Sequence, residues 1–285
     1  MKLCRFDRNR VGVVRGDHVH DVSAVLEQLP SLRWPLPLGD QLVAELERLR
    51  PEMERLADRA PPRPLAGIKL LSPVANPGKI IGAPINYNDH IAEAMSDQTI
   101  AHGRDLKSIG ETGMFLKATS SLVGPSEGVA QRFVDRRNDH EAELAIIIGK
   151  SGTNIPRDRA LDHVAGYAIG LDMTVRGPEL VCFRKSIDTY SVLGPWLVTK
   201  DEVPDPGRLD LKLWVNGAIR QNSNTRYLVY DVARLIEFTT SYYSVQPGDI
   251  IMSGTPSGVG PVKPGDVMTV EIERIGRLEV AVRAA

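Results

Sequence analysis

Two acidic residues, Glu141 and Glu143, stand one residue apart in the chain. The apolar, β-branched run that follows them, residues 144–148, is typical of a strand that enters a core. Side chains at positions i and i+2 of a strand point to the same face, so we expect the two carboxylates to lie together. Two like charges beside a buried segment are costly unless a cation neutralises them, and oxygen ligands favour Mg²⁺, Mn²⁺ or Ca²⁺. The alternative is an edge strand with two ordinary solvent-exposed glutamates.

A third acid, Asp172, ends the small apolar segment 166–172, so its side chain is expected at the mouth of a sheet. Together with Glu141 and Glu143 it would complete a site of three carboxylates. Such a site leaves about three positions of an octahedral ion for water and substrate. An open coordination sphere suits catalysis better than a structural role. The alternative is an aspartate that belongs to a turn.

A histidine and a glutamate, His90 and Glu93, follow the strand-like residues 79–81. If a helix begins near Asn88 or Asp89, these two side chains lie one turn apart on one face. A carboxylate beside a histidine orients the ring, which is the arrangement of a general base that takes a proton from water. The alternative is an amphipathic helix that carries a surface histidine and glutamate.

Basic residues follow Asp172 closely. Arg176 could bind a substrate carboxylate in bidentate fashion, and Lys185 beside a metal could stabilise a developing enolate. Solvent exposure is the usual state of both residue types. The small residues of segment 253–260 would let backbone amides and a hydroxyl approach a ligand, or they form a plain turn.

The bulk composition excludes several classes of protein. The chain has 285 residues, 42% of them hydrophobic and 25% charged, with a formal net charge of −1. These values are typical of a globular protein and give no sign of nucleic-acid binding. Cys4 and Cys182 stand far apart and suggest neither a disulfide framework nor a zinc site. With no signal peptide or membrane span expected, the sequence favours the cytoplasm.

The elements that must position these residues fall into two parts. Residues 1–65 are predicted to form a small N-terminal α+β domain, with a hairpin over residues 1–22, a helix over 42–56 and a proline-rich connector at 60–64. Residues 66–285 carry short β-branched segments divided by Pro and Gly turns, which predicts the successive strands of a β-rich roll or barrel. A helix is expected over residues 231–242 with Asp231 as its N-cap. No Gly-x-Gly-x-x-Gly follows a strand, so a dinucleotide-binding domain is not expected.

Over residues 70–283 the chain resembles the fumarylacetoacetate hydrolase family. The resemblance rests on seven phrases in order: Asn86-Tyr87-x-x-His90-x-x-Glu93; Phe115-Leu116-Lys117; Glu141-Ala142-Glu143-Leu144; Gly166-Tyr167 through Asp172 to Arg176; Lys185-Ser186 with Gly194-Pro195; Asn216-Gly217-x-x-Arg220-Gln221; and Pro247-Gly248-Asp249 leading to Gly254-Thr255-Pro256-x-Gly258-Val259-Gly260.

The resemblance implies an α+β, β-rich fold: a mixed β-sandwich roll of the family's C-terminal type with a small N-terminal domain. It implies one divalent ion, Mg²⁺ or Mn²⁺ with Ca²⁺ as an alternative, a small oxo acid as substrate, and a homodimer. It also implies that a lid over about residues 89–110 orders over the substrate. By motif matching, the metal ligands would be Glu141, Glu143 and Asp172; the catalytic residues His90, Glu93 and Lys185; and the substrate-binding residues Arg176, Tyr87, Gln221, Gly254 and Thr255.

The activity implied is a metal-dependent hydrolysis of a C–C bond in a 2,4-dioxo acid of the acylpyruvate or fumarylpyruvate type, through an enolate. His90 would activate water, and the metal with Lys185 would hold the pyruvate enolate. One alternative is an oxaloacetate decarboxylase, or an isomerase, decarboxylase or hydratase of an unsaturated oxo-diacid in aromatic-compound catabolism. Another is a non-catalytic, metal-stabilised protein that only binds a ligand.

Overall fold

The computed structural model describes residues 1–96 and 108–285. The central part of the predicted lid, residues 97–107, therefore lies outside the described residues. Within the described ranges, none of the helices combines the length and the apolar character that a membrane crossing requires.

Strands dominate the described chain. In chain order they are β1 (Lys2–Phe6), β2 (Arg10–Arg15), β3 (His18–Asp21), β4 (Arg63–Pro64), β5 (Leu70–Leu71), β6 (Ile80–Gly82), β7 (Phe115–Lys117), β8 (Leu122–Val123), β9 (Val129–Gln131), β10 (Asn138–His140), β11 (Ala142–Ile148), β12 (Val164–Asp172), β13 (Thr174–Val175), β14 (Ser191–Thr199), β15 (Asp210–Val215), β16 (Ala218–Asn224), β17 (Ile250–Met252), β18 (Gly260–Pro261), β19 (Val267–Ile272) and β20 (Gly276–Ala284). The α-helices are α1 (Gln41–Ala44), α2 (Leu46–Arg59), α3 (Asn88–Ser96), α4 (Ile109–Thr112), α5 (Val181–Lys185) and α6 (Val232–Thr240).

The strands of residues 1–96 and 108–285 form three sheets. The largest has 12 strands along the path β4-β3-β2-β1-β14-β12-β11-β17-β6-β7, with β5 paired to β1 and β8 to β14. A five-stranded sheet runs β16-β15-β19-β20-β9, and a small one runs β13-β10-β18. One apolar cluster joins Leu144 and Leu171 of the largest sheet to Leu213 and Val270 of the five-stranded sheet. The predicted β-rich α+β roll is confirmed.

The N-terminal part continues the largest sheet. The predicted hairpin is present as β1 and β2, extended by β3, and β1 pairs antiparallel with β14 through Leu3 and Leu197. Leu49 and Met53 of α2 pack in the same buried cluster as Ile147 of β11. The predicted helix over residues 42–56 is divided into α1 and α2. A domain boundary at residue 65 stays a prediction.

The predicted strand through the two glutamates is divided at Glu141. Before that residue, β10 pairs with β13 and β18 in the small sheet. After it, β11 pairs with β12 and β17 in the largest sheet, and all its residues are buried. Glu141 therefore lies where the chain passes from one sheet to another, a change that hydrophobic alternation does not indicate.

Asp40 ties the N-terminal part to the segment before β6. One carboxylate oxygen accepts hydrogen bonds from the Leu42 and Val43 amides and caps α1. The other accepts from the Ala75 and Asn76 amides, at 2.8 and 2.9 Å. Asp40 is buried, so four backbone donors depend on this one carboxylate.

Replacing Asp40 by alanine should lower the free energy of unfolding by about 2–4 kcal/mol, because it removes an N-cap and the two hydrogen bonds that the carboxylate accepts from the Ala75 and Asn76 amides. Thermal unfolding measures the change. The matched control is Asp58→Ala, which removes an exposed pair with Arg15 and should cost about 0–1 kcal/mol. Equal losses in the two variants would show that Asp40 does not connect the two parts.

Candidate active site

Three carboxylates meet where β11 begins and β12 ends. Glu141 and Glu143 lie before and within β11, and Asp172 ends β12, which runs antiparallel beside it with Glu143 opposite Gly170. The Asp172 amide donates to the Glu141 carbonyl at 2.9 Å. One oxygen atom from each of the three carboxylates lies within 4.8 Å of the others, and all three side chains are buried. The acids predicted to lie together do so, and we call them the acidic triad.

Two buried lysines contact the triad. The Lys185 ammonium donates to Glu141 Oε2 at 2.5 Å and to Asp172 Oδ2 at 2.7 Å. Lys117, on β7, donates to Asp172 Oδ1 and, at 2.7 Å, to the carbonyl of Tyr190. Lys185 was predicted at the site from its position after Asp172. Lys117 was not among the predicted site residues, although its inward position in a short apolar strand is a signal, because a lysine there needs a buried partner.

Arg176, predicted to bind a substrate carboxylate, contacts protein carboxylates in this structure. Its Nε donates to Asp139 Oδ2 at 2.7 Å and its Nη2 to Glu141 Oε1 at 3.1 Å. Thr174 Oγ1 also donates to Glu141 Oε1, at 3.1 Å. The described contacts of Arg176 orient Glu141, and its binding of substrate stays a prediction.

The triad carboxylates differ in how readily they ionise. Burial opposes the charge on Glu141, but Lys185 and Arg176 outweigh it and lower its pKa to about 2. Burial and the neighbouring Asp172 raise the pKa of Glu143 well above its ordinary value. Burial lowers the pKa of Lys117, whereas for Lys185 the nearby carboxylates outweigh burial and raise the pKa. The lysine hydrogen bonds described above go to Glu141 and Asp172, whereas Glu143 accepts the Gly254 amide.

The triad fits a divalent ion. Its donors are oxygen atoms alone, which hard cations prefer. Opposite ligands of an octahedral ion stand apart by about twice the ~2.0–2.6 Å of direct ligation, roughly 4–5 Å. The observed limit of 4.8 Å lies within that range. The residue types and spacing match the prediction, and the ligand roles stay a prediction.

His90 and Glu93 form the predicted pair on α3. The ring Nδ1 lies 2.8 Å from Glu93 Oε2, one helical turn away. Glu93 Oε1 accepts a second hydrogen bond from the Gly258 amide at 2.9 Å. His90 is buried, with 4% of its surface exposed, so it is not the surface histidine of an amphipathic helix. We call the two residues the dyad.

Residues 253–260, which we call the glycine loop, lie against both groups. The Gly254 amide donates to Glu143 Oε2 at 2.7 Å. Thr255 Oγ1 donates to the Ala142 carbonyl at 2.9 Å and accepts from Gln221 Nε2 at 2.7 Å. Thr255 and Gln221, both predicted to bind substrate, thus hold the loop to the start of β11. Their substrate contacts stay predictions.

Tyr87 immediately precedes α3 and is buried. Its hydroxyl has no hydrogen-bond partner among residues 1–96 and 108–285. Burial and the charge of Glu143 raise its pKa, so the phenol stays protonated. A buried hydroxyl without a protein partner is available to a ligand or to water.

Comparisons with known proteins find relatives that match the whole length of the chain. The sequence profile of the fumarylacetoacetate (FAA) hydrolase C-terminal family matches residues 79–283. The chain is 56% identical to maleylpyruvate hydrolase of Aquipseudomonas alcaligenes over 286 residues, which covers 100% of both chains. It superposes on the crystal structure of maleylpyruvate hydrolase from Sphingobium sp. SYK-6, in complex with manganese(II) ion and pyruvate, with a TM-score of 0.84 and 41% identity over 100% of both chains.

A relative with another activity is similar as well. A mitochondrial oxaloacetate tautomerase of Xenopus laevis is 34% identical over 277 residues, covering 92% of this chain and 82% of the relative. The family predicted from seven short phrases is confirmed by a profile match over residues 79–283, which includes all seven phrases. The chain belongs to the fumarylacetoacetate hydrolase family.

Proposed function

We propose that the protein is a divalent-metal-dependent hydrolase that cleaves a C–C bond in maleylpyruvate or a closely similar 2,4-dioxo acid. The observation that carries the proposal is one loop that bonds both groups: the glycine loop donates an amide to Glu143 of the triad and another to Glu93 of the dyad. An ion-binding site and a base are thereby placed side by side. The full-length similarity to a maleylpyruvate hydrolase supports the substrate class.

Glu141, Glu143 and Asp172 would hold the ion. When bound, a divalent ion supplies Lewis-acid stabilisation of negative charge that develops on the 2-oxo group of the substrate. Tyr87, together with Gly254 and Thr255 of the glycine loop, would bind the substrate's polar groups, with Gln221 and Arg176 as the other predicted contacts.

The dyad would activate the attacking water. The carboxylate of Glu93 accepts a hydrogen bond from the Nδ1–H group of His90, which leaves Nε2 as the basic nitrogen. Nε2 takes a proton from water, and the resulting hydroxide attacks the C4 carbonyl of the dioxo acid. The C3–C4 bond breaks, its electron pair remains on C3, and the C4 fragment leaves as a carboxylic acid.

Lysine would stabilise the enolate that this step releases. Lys185 carries a buried positive charge held by Glu141 and Asp172, so it can face a developing oxyanion without reorganising. Transfer of the proton from His90 to C3 of the enolate then yields pyruvate and restores the free base.

Product analysis tests the reaction. Incubated with maleylpyruvate or fumarylpyruvate and Mg²⁺ or Mn²⁺, the protein should release pyruvate and maleate or fumarate in equal amounts, with no CO₂. A chelator should stop turnover, and added Mn²⁺ should restore it. Turnover that persists with all divalent ions removed would contradict the proposal, as would release of CO₂ from oxaloacetate without any cleavage of dioxo acids.

A second reaction shares the enolate but not the water. The similarity to an oxaloacetate tautomerase, and the cluster of lysines around the triad, favour proton transfer at the carbon beside a 2-oxo group. A tautomerase or isomerase would change the absorbance of its substrate without forming a second acid, which separates it from the hydrolase.

We also propose that the protein works as a homodimer. Exposed apolar side chains lie together near α5: Leu180 and Phe183 are each 72% exposed, and Phe133 and Val134 are 39% and 59% exposed. Arg136 connects these two groups, since it bonds Glu179 and lies over the Phe133 ring. A second copy would cover this patch. Light scattering should give a mass near twice 31.3 kDa, and a mass of one chain would contradict the proposal.

We also propose that the protein works in the cytoplasm. Cys4 and Cys182 are both free thiols, which a reducing compartment preserves. Fractionation of cells that express the protein would test this location, and recovery in an extracytoplasmic fraction would contradict it.

A further inference from the structure

Two backbone amides of the glycine loop bind the two carboxylates on which the proposed chemistry depends. The Gly254 amide donates to Glu143 at 2.7 Å, and the Gly258 amide, four residues later, donates to Glu93 at 2.9 Å. A backbone amide that donates to a carboxylate makes a charge-assisted hydrogen bond. The base and the ion-binding site are therefore both held by one short segment of backbone.

Glycine is required at both positions. Gly258 has φ +95°, and a Cβ there would lie 2.0 Å from the Arg220 carbonyl oxygen. Gly254 has φ +90°, and a Cβ there would lie 2.7 Å from the Cβ of Asn86. Residues with a side chain are strained at such angles, and here they also clash. The loop can bring its amides to the carboxylates only because these two positions lack a side chain.

The segment just before α3 is also fixed to the glycine loop. Asn86, which is fully buried, donates from Nδ2 to the Ser253 carbonyl at 2.8 Å and to the Tyr230 carbonyl at 2.9 Å. Asn86 stands just before α3, and Glu93 lies within it. The helix that carries His90 is thus joined to the glycine loop at two points seven residues apart.

We propose that Gly258 is a positioning residue. Its amide fixes Glu93, and Glu93 in turn fixes the position of the His90 ring relative to the acidic triad. The inference rests on the proposed function for the role of His90, and it adds the group that holds the dyad in place. Because Gly258 touches neither water nor substrate in this scheme, its loss should act on the catalytic step and leave ion binding and substrate binding in place.

The kinetic experiment uses the metal-loaded protein and three variants. Gly258→Ala should lower kcat about 10–100-fold, as loss of a supporting hydrogen bond typically does, with KM and Mn²⁺ affinity unchanged. Glu93→Ala should lower kcat further. The double variant should be no slower than Glu93→Ala alone, because both changes remove one interaction. The matched control is Gly265→Ala, which has φ +97° in open space away from the site and should keep full kcat.

A second measurement is independent of turnover and of how well Gly258→Ala folds. In protein labelled with ¹⁵N-glycine, the Gly258 amide should exchange slowly with solvent, and Glu93→Ala should accelerate its exchange at least tenfold while the Gly265 amide is unaffected. Unchanged exchange, or fold losses that multiply in the double variant, would overturn the positioning role. If no form of the protein turns over a dioxo acid, the proposed function fails, and the exchange result still decides the role of Gly258.

Discussion

Glu143→Gln should abolish binding of Mn²⁺ and lower kcat by roughly 10³-fold, because the loss of several kcal/mol of charge stabilisation corresponds to about that factor. Glutamine keeps the size of the side chain, and its carbonyl oxygen can still accept the hydrogen bond from the Gly254 amide. The change also removes a buried carboxylate whose pKa burial and Asp172 raise. The metal-free protein should therefore become no less stable, so that the loss cannot be ascribed to unfolding.

Titration calorimetry with Mn²⁺ and a thermal unfolding curve would check both halves of this expectation. The control is Glu271→Gln, an exposed glutamate on β19 that should change neither ion affinity nor kcat. Wild-type Mn²⁺ affinity in Glu143→Gln would remove Glu143 from the ligand set. A lower unfolding temperature in metal-free Glu143→Gln would contradict the account of its buried charge.

His90→Ala should leave Mn²⁺ binding intact and cut hydrolytic kcat by roughly 10²–10⁴-fold, the usual contribution of a general base. Glu93→Gln should retain the fold and lose the charge that orients the ring, with a large loss of kcat as well. His18, an exposed histidine on β3, provides the control: His18→Ala should match the wild type. Stopped-flow assays of pyruvate release would measure all three variants.

The same variants separate the two enolate reactions. Hydrolysis needs a proton to be removed from water, whereas decarboxylation of oxaloacetate needs no attacking water. If the protein accepts oxaloacetate, His90→Ala should reduce that turnover less than it reduces cleavage of a dioxo acid. Equal hydrolytic rates in His90→Ala and the wild type would assign the base to another residue.

Short-range spacing was sufficient to predict which of these side chains lie together, although their roles at the site stay predictions. One residue separates Glu141 from Glu143 and two separate His90 from Glu93, and each pair lies together in the structure as its spacing predicts. Placing Asp172 beside the two glutamates required only that its strand end next to theirs. The family phrases then supplied the order of the site residues along the chain. The strand and helix patterns likewise predicted the β-rich roll and the helix capped by Asp231.

Contacts between segments that are distant in the sequence could not be predicted from short-range spacing. Lys117 reaches Asp172 from a strand 55 residues away, and no periodic pattern indicates which strands become neighbours. Arg176 contacts Asp139, a partner that its position after Asp172 did not suggest. The amides of Gly254 and Gly258 escape sequence reasoning for another reason: every residue except proline has an amide, so only the path of the backbone shows where it points.

The pairing of β1 with β14 has a consequence for any attempt to shorten the chain. A fragment that begins at residue 66 would lose β1 and leave the backbone groups of Leu197 and Val198 unpaired along an open edge. It would also uncover apolar side chains such as Leu193 and Ile147, which pack against the N-terminal part. Such an edge is a template for strand addition between molecules. Residues 1–65 thus protect the edge of β14 from strand addition. The fragment should precipitate or form β-rich aggregates under conditions in which the whole chain does not.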